Sequence, residues 1–461
     1  MAKQWLANTI SRQRFTSLFS SKSPGERDVV IRKNVIGSLF FQFLTNLLGL
    51  LIVPLSLSYI DKEKYGIWIN ASVMVAWLQN MNFGMGFGMQ NKVAEAMAAN
   101  KRRLAREYVT IVYRYSFFIS LILLFVGFTS SFLINWNKLF NSSIPAAELK
   151  SITAIAFLCF LVYFVLGNII PLFNALKRNS VPKFFGLLTN VLTVLFLVSI
   201  LKVSHGNLTL AALALALPTP LVYLFGNFFF FRRDLKVLSP KWKIHDKTRV
   251  KEVFSLGIKF FLMQIATLLI SQSGVIIITQ YLGPAEVTPY NIINRYFYFV
   301  FFIFALGINP FWSGFTEAYF KNDFAWIRKS IKHLVFGGLA GSVLVLFMLA
   351  LSFKLIPIWS KHSFDIYQYQ PLLYTSALYT ITLFFSSIIA IFLNGLSMLR
   401  LQLIVQAIIA VLTIIISILL ITKFNLGSTA INVTAIIGQF IYIAICGWQA
   451  YRFLGRKKQV S

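Results

Sequence analysis

Acidic residues are scarce in this 461-residue sequence: fourteen Asp and Glu stand against 43 Lys and Arg. None of the fourteen falls in the middle of a long apolar run, so no span offers a central carboxylate able to hold a cation. Only two cysteines occur, Cys159 and Cys446, far apart and inside apolar stretches, which excludes a disulfide framework. There is no glycine-rich phosphate loop ending in lysine, no zinc-ligand spacing and no nucleophile elbow. The sequence therefore predicts no catalytic residue, no bound metal and no organic cofactor, and the chain is not expected to be an enzyme. Charged residues make up 12% of the chain, about half the share of a soluble domain.

What is present is apolar surface. Hydrophobic residues reach 57% and the mean hydropathy is +0.73. Runs of about twenty apolar residues, the length that crosses a bilayer as a helix, recur along the chain. They predict an all-α polytopic membrane protein of about twelve spans, at 35–60, 66–91, 108–135, 151–176, 184–204, 209–231, 253–282, 287–319, 334–357, 370–396, 402–422 and 430–451. The first run begins only near Val35, too late for a cleaved signal peptide.

The even number of spans puts both termini on one side, and the cations indicate which. Thirty-two Lys and Arg fall in the segments on the side of the termini, against eight on the other side and three inside spans. The positive-inside rule then predicts a multi-pass inner-membrane protein with both termini in the cytoplasm. Charge spread over many short loops beside helix ends meets anionic membrane lipids rather than nucleic acid. Residues before the first span, Trp5, Leu6, Ile10 and Phe15 among basic neighbours, fit either an interfacial helix or a flexible basic tail.

The basic loop 232–252 divides the chain into six spans and six. At an offset of 222, Tyr59 falls on Tyr281, Glu95 on Glu317 and Arg106 on Arg328, and the span lengths follow a similar layout. The expected organisation is a basic N-terminal segment 1–33, a six-helix bundle 34–231, a linker 232–252, a second bundle 253–451 and a basic tail 452–461. Both bundles start on the same side, as parallel repeats do.

The cations inside spans are Arg114, Lys259 and Arg295. Arg114 and Lys259 lie about two turns from helix ends, so each either snorkels to the interface or faces a cavity. Arg295 lies towards the outer side, where positive charge is disfavoured. It shares a helix face with Asn291 and Tyr298 at i−4 and i+3. A water-filled cavity meeting an anion explains it better than lipid does. The second span ends in Gln79–Asn91, where Gly84, Gly86 and Gly88 alternate with Met and Phe, and the amides Asn82, Gln90 and Asn91 flank them. This run fits close helix packing, or amides that bind sugar hydroxyls at a mouth. Glu95 and Glu317, near the ends of spans two and eight, join Asn82, Gln90 and Asn91 as gate candidates. Asn190, Pro218 and Pro220 mark expected kinks.

Pro54-Leu55-Ser56 through Tyr59-Ile60, then Lys64-Tyr65-Gly66-Ile67-Trp68, Asn82-Phe83-Gly84-Met85-Gly86 and Gln90-Asn91, resemble the start of bacterial polysaccharide flippases, the O-antigen and exopolysaccharide repeat-unit translocases of the multidrug/oligosaccharidyl-lipid/polysaccharide exporter superfamily. The motif covers about forty residues, and length and span layout extend the likeness to the whole chain. The family commonly has aspartate where this chain has Asn82, so no role for that acid carries over. The resemblance implies two bundles in a MATE-like V that alternate between inward and outward openings. It implies a lipid-linked oligosaccharide on undecaprenyl pyrophosphate as substrate, a proton or sodium gradient as energy source, and a polysaccharide polymerase and chain-length regulator as partners. Two rival readings are an ion-coupled multidrug exporter, opposed by the missing buried acid, and a non-transporting partner in glycan assembly.

Overall fold

The computed structural model describes residues 24–80, 84–204, 206–241, 247–320, 322–396 and 398–458. Seventeen α-helices and two short 3-10 turns make up its regular structure. In the first half these are α1 (Pro24–Tyr59), α2 (Lys62–Asn80), α3 (Met85–Ala98), α4 (Arg102–Ser130), α5 (Trp136–Phe140), α6 (Ala146–Leu166), α7 (Ile169–Ala175), α8 (Ser180–Leu201), α9 (Leu208–Ala216) and α10 (Pro218–Arg232). In the second half they are α11 (Lys247–Leu282), α12 (Pro284–Ile308), α13 (Phe311–Phe320), α14 (Phe324–Trp359), α15 (Gln370–Gly395), α16 (Leu399–Phe424) and α17 (Thr429–Lys458). Ten stretches of described residues are helices long and apolar enough to cross a membrane. They coincide with ten of the expected spans. The second expected span runs through α2 and α3, and the seventh lies in α11.

Several helices outrun their apolar cores. Hydropathy predicts the ninth span from 334, yet α14 starts at Phe324. Its start is set by a cap: the Asp323 carboxylate accepts from the Trp326 amide at 2.9 Å and satisfies one of the free N–H groups of the first turn. Asn207 does the same for α9 through the Leu210 amide at 3.0 Å.

Spans four and six are each broken, and side-chain amides bind the backbone that the breaks release. Inside a membrane such groups need partners from the protein itself. Between α6 and α7, the Asn168 carboxamide donates to the Phe164 and Val165 carbonyls and to the Ser116 hydroxyl. Asn227 of α10 donates to the Leu166 and Tyr223 carbonyls and accepts from the Tyr113 hydroxyl at 2.8 Å. The break at Leu217 falls where Pro218 and Pro220 were expected to kink the sixth span. Asn190 marks no kink. It lies inside the continuous α8, and its carboxamide donates to the Thr45 carbonyl at 2.7 Å, tying α8 to α1.

The chain packs as two compact units that do not follow the sequence halves residue for residue. The first gathers the chain to Tyr59, Met74–Asn137 and Ile144–Ile265; the second gathers Ile60–Val73, Lys138–Ser143 and Ala266–Ser461. In the first unit an ion pair between Arg178 and Asp234, 3.1 Å apart and almost wholly buried, joins the turn after α7 to the chain after α10. Arg178 thus acts as an internal tie in addition to being counted among the orienting cations. In the second unit Gly66 lets the start of α2 press on α12: a Cβ at Gly66 would lie 1.8 Å from the Pro284 carbonyl oxygen. Beside it, the Thr288 hydroxyl donates to the Lys62 carbonyl at 2.6 Å.

The repeat shows in the helix ends. Lys62 and Pro284, and Arg102 and Phe324, open helices at that same offset. Asn100 and Asn322, equally spaced, both turn left-handed with φ of 58°. Gly206 and Gly427, 221 apart, both have positive φ before a span.

Candidate functional site

The close approach at Gly66 has a consequence for the neighbouring residue. Tyr65, on the first turn of α2, is buried, and its phenol lies within electrostatic reach of the Arg295 guanidinium. Arg295 itself is half-buried on α12. Asn291 is half-buried on the same helix, and Tyr298 is half exposed, its ring 5.4 Å from that of Phe301. Arg295, Asn291 and Tyr298 therefore come together as one polar strip in the second unit. Such a strip presents a fork of N–H donors, an amide and a phenol, a set suited to a phosphate and its attached sugar.

The remaining candidates belong elsewhere. Arg114 is half-buried on α4 in the first unit, with its guanidinium 5.7 Å from the Phe118 ring centre. Gln90 and Asn91 are half-buried on α3, and Glu95 is exposed and paired with Lys92 at 2.9 Å. That hydrogen bond holds the Lys92 ammonium above its ordinary pKa. The glycine run divides its work: Gly84, at φ 67°, starts α3 in a left-handed turn, and Gly88 backs onto α11, where a Cβ would meet the Val253 carbonyl oxygen at 2.3 Å. Close packing, one of the two expectations for the run, is thus seen at Gly88. Asn82 lies outside the described residues, as do the side chains of Lys259 and Glu317.

Two features were not singled out from sequence. Tyr65 is 230 positions from Arg295, and its only signal was membership of the Lys64–Trp68 motif. The second is a cavity of about 240 Å³ among α15, α16 and α17, reached by several uncharged polar side chains. Its residues are scattered over three apolar spans, one or two per turn, and the Ser386-Ser387 pair was the only local hint.

Residues 31–305 match the family of polysaccharide biosynthesis proteins. A protein of Salmonella typhimurium named for O-antigen transport is 22% identical over 286 residues, 60% of this chain and 63% of that protein. A protein of Yersinia pseudotuberculosis named for O-antigen export is 22% identical over 309 residues, 65% of this chain and 67% of that one. The chain thus spans a little under two thirds of the length of the first relative. Among solved structures, an inward-facing multidrug resistance MATE transporter of the MOP superfamily superposes with a TM-score of 0.69 at 14% identity, covering 93% of this chain and 99% of that one. A MOP superfamily transporter from Pyrococcus furiosus, described as having a binding pocket of reversed polarity, gives 0.59 at 13% identity, over 93% and 97%. At such identities the structures speak for the fold, which is MATE-like. The match over more than half of its length, together with this fold, makes the chain a multi-pass membrane protein belonging to the polysaccharide biosynthesis protein family.

Proposed function

We propose that this protein is a flippase that moves undecaprenyl-pyrophosphate-linked oligosaccharide repeat units from the inner to the outer leaflet of the cytoplasmic membrane, by alternating access, for cell-surface polysaccharide. The observation that carries the reading is Arg295: a half-buried cation within a span, near the buried Tyr65 phenol and on one helix with Asn291 and Tyr298. A charge retained inside a membrane helix costs on the order of 2.5–3.5 kcal/mol on insertion scales and calls for a function. An oligosaccharide joined through pyrophosphate supplies the matching anion, and the guanidinium fork fits phosphate oxygens two at a time. The names of the Salmonella and Yersinia relatives support the same class of cargo. The polar head crosses while the lipid tail stays in the bilayer. The positive-inside count supports cytoplasmic termini.

Removal of the protein is expected to leave lipid-linked oligosaccharide on the inner leaflet and to deplete surface polysaccharide. Arg295→Ala should reproduce both effects at normal protein level in the membrane, and Arg295→Lys should restore only part, since an ammonium cannot reproduce the planar fork. Normal export by the Ala variant would remove Arg295 from the site. Absence of inner-leaflet accumulation in cells lacking the protein would refute the flippase reading altogether.

A further inference from the structure

The cavity among α15, α16 and α17 holds about 240 Å³. Most of its wall is apolar, with Ala390, Ile409 and Ala435 among the lining, and six uncharged polar side chains reach it: Tyr379, Ser386, Ser387, Gln406, Thr413 and Gln439. The three aliphatic hydroxyls donate to carbonyls of their own helices, Ser386 to Leu383, Ser387 to Phe384 and Thr413 to Ile409, so their lone pairs remain available as acceptors. The Gln406 and Gln439 carboxamides are engaged by no other group among the described residues, and each brings both a donor and an acceptor. The Tyr442 hydroxyl is committed to Gln402 at 2.6 Å, which fixes its ring on the cavity wall.

The shared fold does not require these polar residues. Counting back 222 positions from the six reaches Phe157, Phe164, Val165, Phe184, Val191 and Leu217; counting back 221 reaches Leu158, Val165, Leu166, Phe185, Leu192 and Pro218. In either register the first repeat is apolar at every one of them. Six polar replacements converging on one open space are unlike the drift of a lipid-facing surface.

The chemistry narrows the occupant. No charged residue lines the cavity, so an anion has no partner there. A bare metal cation needs oxygens closing to about 2.3–2.6 Å around it, and this space is far wider. At about 30 Å³ per water it matches roughly eight waters, or one pyranose ring. Hydroxyl acceptors, two-sided carboxamides and tyrosine rings are the groups that bind sugar hydroxyls and sugar faces. α12, which carries the Arg295 strip, packs against α15, where the Phe301 and Phe384 rings lie 6.0 Å apart, so the cavity borders the helix that bears Arg295.

We propose that this cavity is a subsite for one uncharged sugar ring of the translocated glycan, adjacent to the helix that bears Arg295. The inference rests on the flippase reading and adds to it a place where the protein grips sugar separately from phosphate.

Labelling of Thr413→Cys by a small methanethiosulfonate reagent, in purified full-length protein with Cys159 and Cys446 replaced by Ser, tests the proposal. Two probes are used: the free repeat-unit oligosaccharide released by mild acid from the host's own lipid carrier, and inorganic pyrophosphate. The oligosaccharide should slow labelling by 1 + [L]/Kd, roughly threefold at twice Kd, and pyrophosphate should leave it unchanged. Gln406→Leu with Gln439→Leu, eluting as a monodisperse species, should abolish the protection. Protection by pyrophosphate alone, protection that survives the double variant, or no protection at any soluble sugar concentration would overturn the subsite. If Thr413→Cys and a second reporter, Ser387→Cys, both fail to react, the space is closed to solutes and the subsite is equally overturned. Failure of the flippase reading shows separately, as the absence of carrier accumulation in cells lacking the protein.

Discussion

The two repeats differ in what part of their buried polarity does. In the first, Asn168 donates to Ser116, and Asn168 and Asn227 donate to carbonyls at the end of α6, where it gives way to α7. In the second, the corresponding spans run unbroken as α15 and α17; beside bound pairs such as Asn432 with Ser376, further polar side chains face open space. The same contrast holds along the eighth span: Asn291, Arg295 and Tyr298 correspond in the first repeat to Ile69, Val73 and Ala76. A polar group inside a membrane protein is thus either bound by the protein or left for a solute, and the list of its partners tells which.

Breaking the most deeply bound pair should have the largest effect. Arg178→Leu strands a buried Asp234, and Asp234→Leu strands Arg178; each is expected to cost about 3–5 kcal/mol and to lower the melting temperature in detergent sharply. Replacing both together should recover most of that loss, because an apolar pair of similar volume leaves no charge behind. Equal damage from the double and single variants would show the pair to be more than a tie.

A smaller effect separates the repeats directly. Asn227→Leu leaves the Tyr113 hydroxyl and the Leu166 carbonyl unmatched, at about 1–3 kcal/mol. Gln449 lies 222 positions further on, in the last span of the second repeat, and its carbonyl oxygen has no hydrogen-bond partner although buried. Gln449→Leu should therefore be neutral or slightly stabilising in the same thermal assay. Similar losses from both substitutions would contradict the distinction between bound and unbound amides. The smallest effect belongs to the exposed Lys92–Glu95 pair: Glu95→Gln should shift stability by under about 0.5 kcal/mol, and the shift should vanish in high salt. Loss of export in that variant at unchanged stability would return Glu95 to the gate.

The spans were legible because twenty-residue apolar runs have few other uses, and helix ends were less so because capping by Asp323 and Asn207 is independent of hydropathy. Pro218 announced its break through its missing N–H, whereas Asn190 misled: an amide in a span reads the same from sequence whether it releases its own helix or fastens another. Arg295 stood out because an isolated cation in an apolar run needs no partner to be noticed. Its phenol neighbour and the cavity could not be read in the same way. Both arise from residues brought together across tens to hundreds of positions, and each residue by itself is ordinary in a membrane helix.

The buried Arg178–Asp234 pair also bears on the order in which the protein is made. Arg178 leaves the ribosome 56 residues before Asp234. Until the later residue emerges, that carboxylate is not there to receive the arginine. The contact between the turn after α7 and the chain after α10 can therefore close only once α8, α9 and α10 have been synthesised. The ion pair in this way is a late contact that depends on a complete sixth span.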